Sequence, residues 1–458
     1  MEAVTALCLA MMCFALSGAR SWVYALYFAS YVPFISLSAV EGGLTEVSGL
    51  GGSNVGFKLA IRAACSLGFL IIIARQKHAL SQVFRASSLP ILVLFAWSLA
   101  WLSRSQSPWI SLFRLTELFA FFFAGVALYL QEGRKHRLRD VLRWHCLALF
   151  TLPLLSLWFS WLRPELVQHE GSGAVVRWGH KLLNANSLGF SCTVVLLWAT
   201  NELKASFARP SDEGWRGRWV PVLAVAICGL VFLMARSRSA ALLLLVGQTI
   251  LWWPQSPVGS RLRLRLAAGL LMGVGICLWQ WSNIEPWFLR GESASSLATA
   301  TGRTHLWQEL ITRQTSEQPV AGAGYLMLSD QGGFLHEGRM WTNAHNTYLF
   351  ALVSTGWVGF LSVLCIVLWP LLACARAVRR APIQDFEPQR LLFALIAVVA
   401  LASITGFGVF GFPNPAMLLF YSLYALVLAE KRSEGVHSTN ANPRPSSVGY
   451  DATPIQAR

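Results

Sequence analysis

"HNTYLFALVSTGWVGFLSVLCIVLWPLL", His345–Leu372, decides how the rest of the chain is read. From 344 to 372 there is no Asp, Glu, Lys or Arg. About 20 apolar residues in a helix cross the roughly 30 Å of a bilayer's hydrocarbon. The run therefore reads as a membrane span, with a histidine and an asparagine where water gives way to lipid. Whether His345 does chemistry there depends on the surrounding sequence.

Comparable runs recur at 1–18, 21–38, 56–74, 89–103, 112–130, 142–162, 186–200, 219–235, 240–254, 264–283, 389–406 and 414–429. Only Ala19 and Arg20 separate the first two, so the spans number twelve or thirteen. Hydrophobic residues make up 55% of the 458 and charged residues 13%. Mean hydropathy is +0.51, too apolar for a soluble chain of this length. The 20 tryptophans suit a membrane–water interface. The expected fold class is all-α: a polytopic integral membrane protein with about 12 transmembrane helices and one large loop. Residues 1–283 are expected to be transmembrane helices with short loops, and 284–343 the large loop with amphipathic helices. Residues 344–429 supply the C-terminal transmembrane helices, and 430–458 a disordered, Pro-rich tail.

The net charge of +15 marks topology rather than nucleic acid. Arg75/Lys77/Arg85, Arg134/Lys135/Arg137/Arg139/Arg143, Lys204/Arg209/Arg216/Arg218, Arg261/Arg263/Arg265 and Arg376/Arg379/Arg380 fall in one alternating set of connections. The positive-inside rule makes that set cytoplasmic, together with the tail. The other set is 39–55, 163–185, the turn at 236–239 and the large loop. The nine cysteines lie in or beside apolar runs without CxxC spacing, as small buried hydrophobes do. The first apolar run lacks a basic start and feeds straight into a second, which argues against a cleaved signal peptide.

Arginines are depleted on a translocated side, so those found there need a reason. Arg236 and Arg238 in "LMARSRSAALLLL" read either as snorkelling side chains or as an anion clamp at headgroup level. "TGRTHLWQELITRQTSEQPVAGAGY", 301–325, makes a short helix with Leu306, Trp307, Leu310 and Ile311 on one face, placed on the membrane surface. Arg303 in its first turn reads as a solvated cation or as an anion ligand aided by the helix dipole. "RWGHKLLNANSLGF", 177–190, sets Arg177, His180, Lys181, Asn184 and Asn186 ahead of a span, as a polar loop or as ligands for sugar hydroxyls and phosphates. Lys58 and Arg62, one turn apart, are candidates for headgroup contacts. His345, followed by Asn346 and Tyr348, reads as a histidine bonded to a loop carbonyl or as a general base.

No GxGxxG or Walker pattern in a βαβ setting, no HExxH, no GxSxG and no DxD occurs. A nucleotide-sugar donor, a cofactor and a metal are therefore not expected. Arginines at headgroup level suit a substrate that brings its own phosphate and its own membrane anchor. A lipid-linked diphosphate meets both conditions.

In order along the chain, "ARSRSA", "TGRTHLW", "PVAGAGY" and "NAHNTYLFALVSTGWVG" resemble the signature of the O-antigen ligase/polymerase superfamily, and "RWGHKLLNANSLGF" resembles its upstream stretch. The resemblance covers about 177–372. It implies a metal-independent, GT-C-like glycosyltransferase of the bacterial inner membrane, multi-pass, with its active site facing the periplasm. The donor would be a glycan on undecaprenyl diphosphate; the ligase branch transfers it to the lipid A–core oligosaccharide, completing lipopolysaccharide. By the same resemblance His345, Arg303 and Arg236 are the catalytic residues. Arg238, Arg177, Asn186, Asn346, Tyr348, Lys58 and Arg62 remain as substrate-binding candidates. A repeat-unit polymerase and a protein O-oligosaccharyltransferase share the signature. A transporter of lipid-linked sugars is the non-enzyme alternative, although no internal repeat is evident.

Overall fold

A computed structural model describes residues 8, 10–15, 22–31, 55–75, 88–105, 108–128, 138–170, 176–179, 183–207, 219–252, 285, 303–317, 319–324, 334–336, 339–341, 344–381, 386–406, 408–411 and 414–440. The helices are α1 (Trp22–Ala29), α2 (Val55–Arg75), α3 (Leu89–Ala100), α4 (Pro108–Leu128), α5 (Leu138–Leu162), α6 (Pro164–Val167) and α7 (Ala185–Phe207). They continue with α8 (Trp219–Ala235), α9 (Arg238–Trp252), α10 (Arg303–Glu317), α11 (Thr347–Arg380), α12 (Phe386–Ala402) and α13 (Pro415–Asn440). Their starts follow capping chemistry. Pro108, Pro164 and Pro415 occupy first-turn positions where no backbone N–H is needed. Asn346 Oδ1 accepts from Tyr348 N (3.0 Å) and Leu349 N (3.2 Å), and Asn414 Oδ1 accepts from Met417 N (3.0 Å).

Helices build the core, but the all-α expectation needs one amendment. Two short antiparallel ladders lie in the connections: β1 (Gln168–Glu170) with β2 (Val176–Trp178), and β3 (Phe334–His336) with β4 (Arg339–Trp341). Chain doubling back between helices pairs its backbone polar groups in this way. A second amendment concerns the C-terminus. Helix α13 runs to Asn440, eleven residues into the stretch assigned to the tail, through Ala, Glu, Lys and Arg, all good helix formers. Residues 441–458, most of 1–18 and all of 264–283 lie outside the described residues.

Helix α7 is the hub. It packs against α5, α8, α9, α12 and α13, while α13 lies on α4, α9 on α12, and α11 on α3 and α12. Cys192, Val194, Val195, Leu197 and Ala199 of α7 are fully enclosed. Leu223, Leu230 and Leu233 of α8 and Leu242 and Leu245 of α9 face outward, an apolar exterior that suits lipid rather than water. The end where α5 finishes and α7 and α9 begin is here the upper end; the end where α7 and α9 finish and α12 begins is the lower. Trp109 (82% exposed) and Trp161 (77%) stand out at the upper end, with Trp219 and Trp252 at the lower, as in the two aromatic belts of a membrane protein. Among the described residues α5 and α11 are long and apolar enough to cross a membrane. Helices α3, α8 and α9 and the apolar parts of α2 and α13 are shorter.

Helix α11 is broken. Gly356 sits at φ 66°, ψ −164°, between the pieces 347–355 and 357–380. A break releases backbone groups that must find other partners, and residues 319–324 supply most of them. Ala323 N donates to Val353 O (2.8 Å), Gly324 N to Ser354 O (3.1 Å), and Trp357 N to Pro319 O (3.0 Å). Trp97 Nε1 of α3 takes Thr355 O (3.0 Å). The approach requires glycine, since a Cβ on Gly322 would lie 2.5 Å from the backbone nitrogens of Thr355 and Gly356. The piece from Trp357 is about 36 Å long at 1.5 Å per residue, enough to cross hydrocarbon alone, and Trp357 is 42% exposed at its start. The preceding piece is almost wholly enclosed by protein. The single span expected over 344–372 is thus two pieces, and His345 is separated from the exposed one by a buried half-helix.

Candidate active site

His345 occupies a left-handed turn, φ +50°, immediately before α11. A non-glycine residue there carries roughly 1–3 kcal/mol of strain and persists only where its surroundings impose it. Those surroundings are specific. Ala344 O accepts from Trp307 Nε1 (2.7 Å), Asn346 caps the helix, and Thr347 N donates to Ser403 O (2.8 Å). Trp307 stands one turn after Arg303 on the same face of α10, so the bond to Ala344 brings Arg303 beside His345. Burial, and then the Arg303 charge, push the imidazole down to about 4. His345 is therefore uncharged at neutral pH, with a lone pair able to take a proton.

Arg236 occupies the other such turn, φ +47°, between α8 and α9. Arg236 and His345 are the non-glycine residues with positive φ among the described residues. Ser237 holds the Arg236 turn. Its Oγ donates to Asn186 Oδ1 (3.0 Å) and accepts from Ala240 N (3.4 Å), capping α9. Thr193 Oγ1 reaches Ala240 O (3.2 Å) from α7. Arg238 is the first residue of α9, half-buried like Arg236.

The two turns share the upper end. Helices α9 and α12 run antiparallel, with Arg390 at the foot of α12 donating to Ile250 O near the foot of α9. The Arg238 end of α9 therefore lies beside the Ala402 end of α12, whose next residue, Ser403, bonds to Thr347.

Other candidates are placed differently. Asn346 Oδ1 is occupied in capping, and Tyr348 OH donates to Ala400 O (3.2 Å), so both polar groups serve the fold around His345. Asn186 Oδ1 is engaged by Ser237. The backbone of Arg177 pairs with His169 in the β1–β2 ladder, and α2, which carries Lys58 and Arg62, packs mainly on α1 and α4. The side chains of these three cations lie outside the described residues. Of the amphipathic helix's apolar face, Leu306 and Leu310 are buried, and α10 packs on α11. Its apolar stripe matches that of a neighbouring helix, which periodicity alone does not distinguish from lipid. The sequence reading missed Ser237, the bond made by Trp307, and the glycine-rich stretch after α12.

Residues 223–364 match the family model described as O-antigen ligase, an interval containing Arg236, Arg303 and His345. The chain is also 25% identical over 293 residues to the exopolysaccharide production protein ExoQ of Rhizobium meliloti (strain 1021). That match spans 60% of this chain and 64% of the relative, less than two thirds of its length. Through residues 223–364, this chain is similar to the O-antigen ligase superfamily.

Proposed function

We propose that the protein is a multi-pass inner-membrane glycosyltransferase with about twelve spans and a GT-C-like plan, its upper end facing the periplasm. It moves a glycan from undecaprenyl diphosphate onto the lipid A–core oligosaccharide. The observation that carries this reading is the pair of strained turns bearing Arg236 and His345 at one end of the bundle, with Arg303 beside the histidine. Strain of this kind gathers at functional sites.

The chemistry follows from these groups. Arg236 and Arg303 hold the diphosphate, with Arg238 at the head of α9 as a further ligand, and stabilise the charge that grows on it. The acceptor hydroxyl oxygen bonds to C1 of the first donor sugar as the C1–O bond to the diphosphate breaks, with inversion. The hydroxyl proton passes to His345, and the electron pair leaves with undecaprenyl diphosphate. An anion held by Arg303 cancels the field that adds to burial at the imidazole, so its proton affinity rises once the donor is bound. Asn186 acts through Ser237 on the Arg236 turn rather than on sugar.

The relative's name speaks of exopolysaccharide production, and a second reading is a polymerase whose acceptor is another lipid-linked repeat. The same residues would serve it. A transporter fits less well. Interrupted helices in transporters leave backbone groups for ions, whereas the gap in α11 is filled by residues 319–324.

The test is the lipopolysaccharide pattern of a strain lacking the protein, read beside the glycan left on the carrier. Bare core with long polymer on the carrier supports the ligase, and core bearing one repeat supports the polymerase. An unchanged pattern rejects both.

A further inference from the structure

The stretch "SITGFGVFGFPN", 403–414, lies beyond the matched domain. In the fold its described residues, 403–406 and 408–411, form a clasp over the His345 turn. Ser403 O accepts from Thr347 N (2.8 Å). A Cβ on Gly406, itself at φ +112°, would lie 3.2 Å from His345 Cα and 3.4 Å from its Nδ1. The clasp is tied to α13 on its other side. Asn414 Nδ2 donates to Gly408 O (3.2 Å), and Tyr421 OH donates to Val409 O (2.9 Å).

We propose that Gly406 is a positioning residue for the His345 imidazole, offering bare backbone to the Nδ1 edge of the ring and so fixing which edge meets the acceptor. The inference rests on the reading of His345 as base. A histidine at φ +50° cannot take its ring direction from a regular helix or strand, so the surface under the ring sets it. With Nδ1 over Gly406, Nε2 lies on the opposite side of the ring and is the nitrogen that receives the proton. A methyl group at 406 reaches the ring and the turn together. It obliges the His345 turn to give by a few tenths of an ångström and shifts the imidazole within its enclosure, which is the larger cause of its low proton affinity; Arg303 on α10 is the neighbouring charge.

The experiment compares Gly406→Ala with Gly411→Ala in the full-length protein in membranes. Both glycines are in the same backbone region, at φ +112° and +111°, but Gly411 meets the Phe350 ring instead of His345. Two readouts are taken: transfer kinetics, and the pH midpoint for carbethoxylation of His345 by diethyl pyrocarbonate, resolved by mass spectrometry. Gly406→Ala should lower kcat at least about tenfold at nearly unchanged KM for the lipid donor and raise the midpoint. Gly411→Ala should keep the midpoint. Tyr421→Phe adds no atom and slackens the clasp; it should raise the midpoint in the same direction, so a misfolded Gly406→Ala does not end the test. Equal losses in both glycine variants at an unchanged midpoint, or no shift in either Gly406→Ala or Tyr421→Phe, overturn the inference. Full transfer by His345→Gln would remove the base assignment, whereas the midpoint still reports whether Gly406 governs the ring.

Discussion

The two ends of α9 are held in opposite ways. At the lower end Arg390, only 6% exposed, gives its guanidinium to Ile250 O (2.8 and 3.3 Å) and stands 3.9 Å from Glu387. Lys204 meets Glu387 at 2.9 Å, and Arg139 pairs with Glu202. At the upper end the turn before α9 is strained, and no ion pair among the described residues involves Arg236. The lower cations are absorbed by the protein and hold helices together. The upper one is held by its backbone turn, and in the proposed function its charge meets the donor diphosphate. An arginine at a helix end is thus structural or functional according to what fixes it, not according to depth.

Removing the two arginines separates these roles most sharply. Arg236→Ala should cut transfer by roughly 10²–10³-fold at an unchanged level of folded protein. Arg390→Ala should leave turnover per folded molecule intact while lowering stability by about 1–3 kcal/mol, through the lost bond to Ile250 O. Quantitative assay beside detergent unfolding distinguishes them, and equal losses of specific activity would erase the contrast. Next in size is Gly356→Ala. It sets a side chain against Val320 and demands a left-handed alanine, at a cost of at least about 1–3 kcal/mol, read as a lower unfolding midpoint.

A smaller effect sharpens the electrostatics of the upper end. Arg303→Gln should raise the His345 carbethoxylation midpoint from about 4 toward 6.5, but not all the way, because burial is the larger cause. The folded value lies below that of an unfolded imidazole, about 6.5. The folded state therefore binds fewer protons between pH 6.5 and 4, and stability falls as pH drops through that window. Arg303→Gln should narrow the window from its acid side. Smallest is Lys204→Ala. Both partners of that pair are about one third exposed, so the change in unfolding free energy should be only a few tenths of a kcal/mol.

Much of this was legible in the sequence, because apolar runs and caps act locally. The runs at 89–103, 219–235 and 240–254 coincide closely with α3, α8 and α9, and Asn346 heads α11 as a cap residue should. Arg236, Arg303 and His345 stood out because cations and an imidazole at the mouths of apolar runs are costly, and because their motifs come in a family's order. The break in α11 was hidden. "STGWVG" permits it, but its cause is a set of bonds to residues about thirty positions earlier and to Trp97, and no local pattern encodes that docking. Gly406 was hidden for the same reason. At Asn346 and Tyr348 the contacts seen are to backbone, which polar groups beside a site can bind as readily as substrate.

The gap in α11 bears on engineering. The segment 319–324 completes the backbone of a helix thirty residues downstream and touches the Arg104–Ser105 corner after α3. The large loop is therefore not an exchangeable cassette. A chimera that imports a foreign loop without its own α3 and α11 strands the carbonyls of Val353 and Ser354 inside the protein. Transplants meant to alter acceptor choice should be cut at the ends of α3 and α11, so that loop, corner and broken helix travel as one inherited unit.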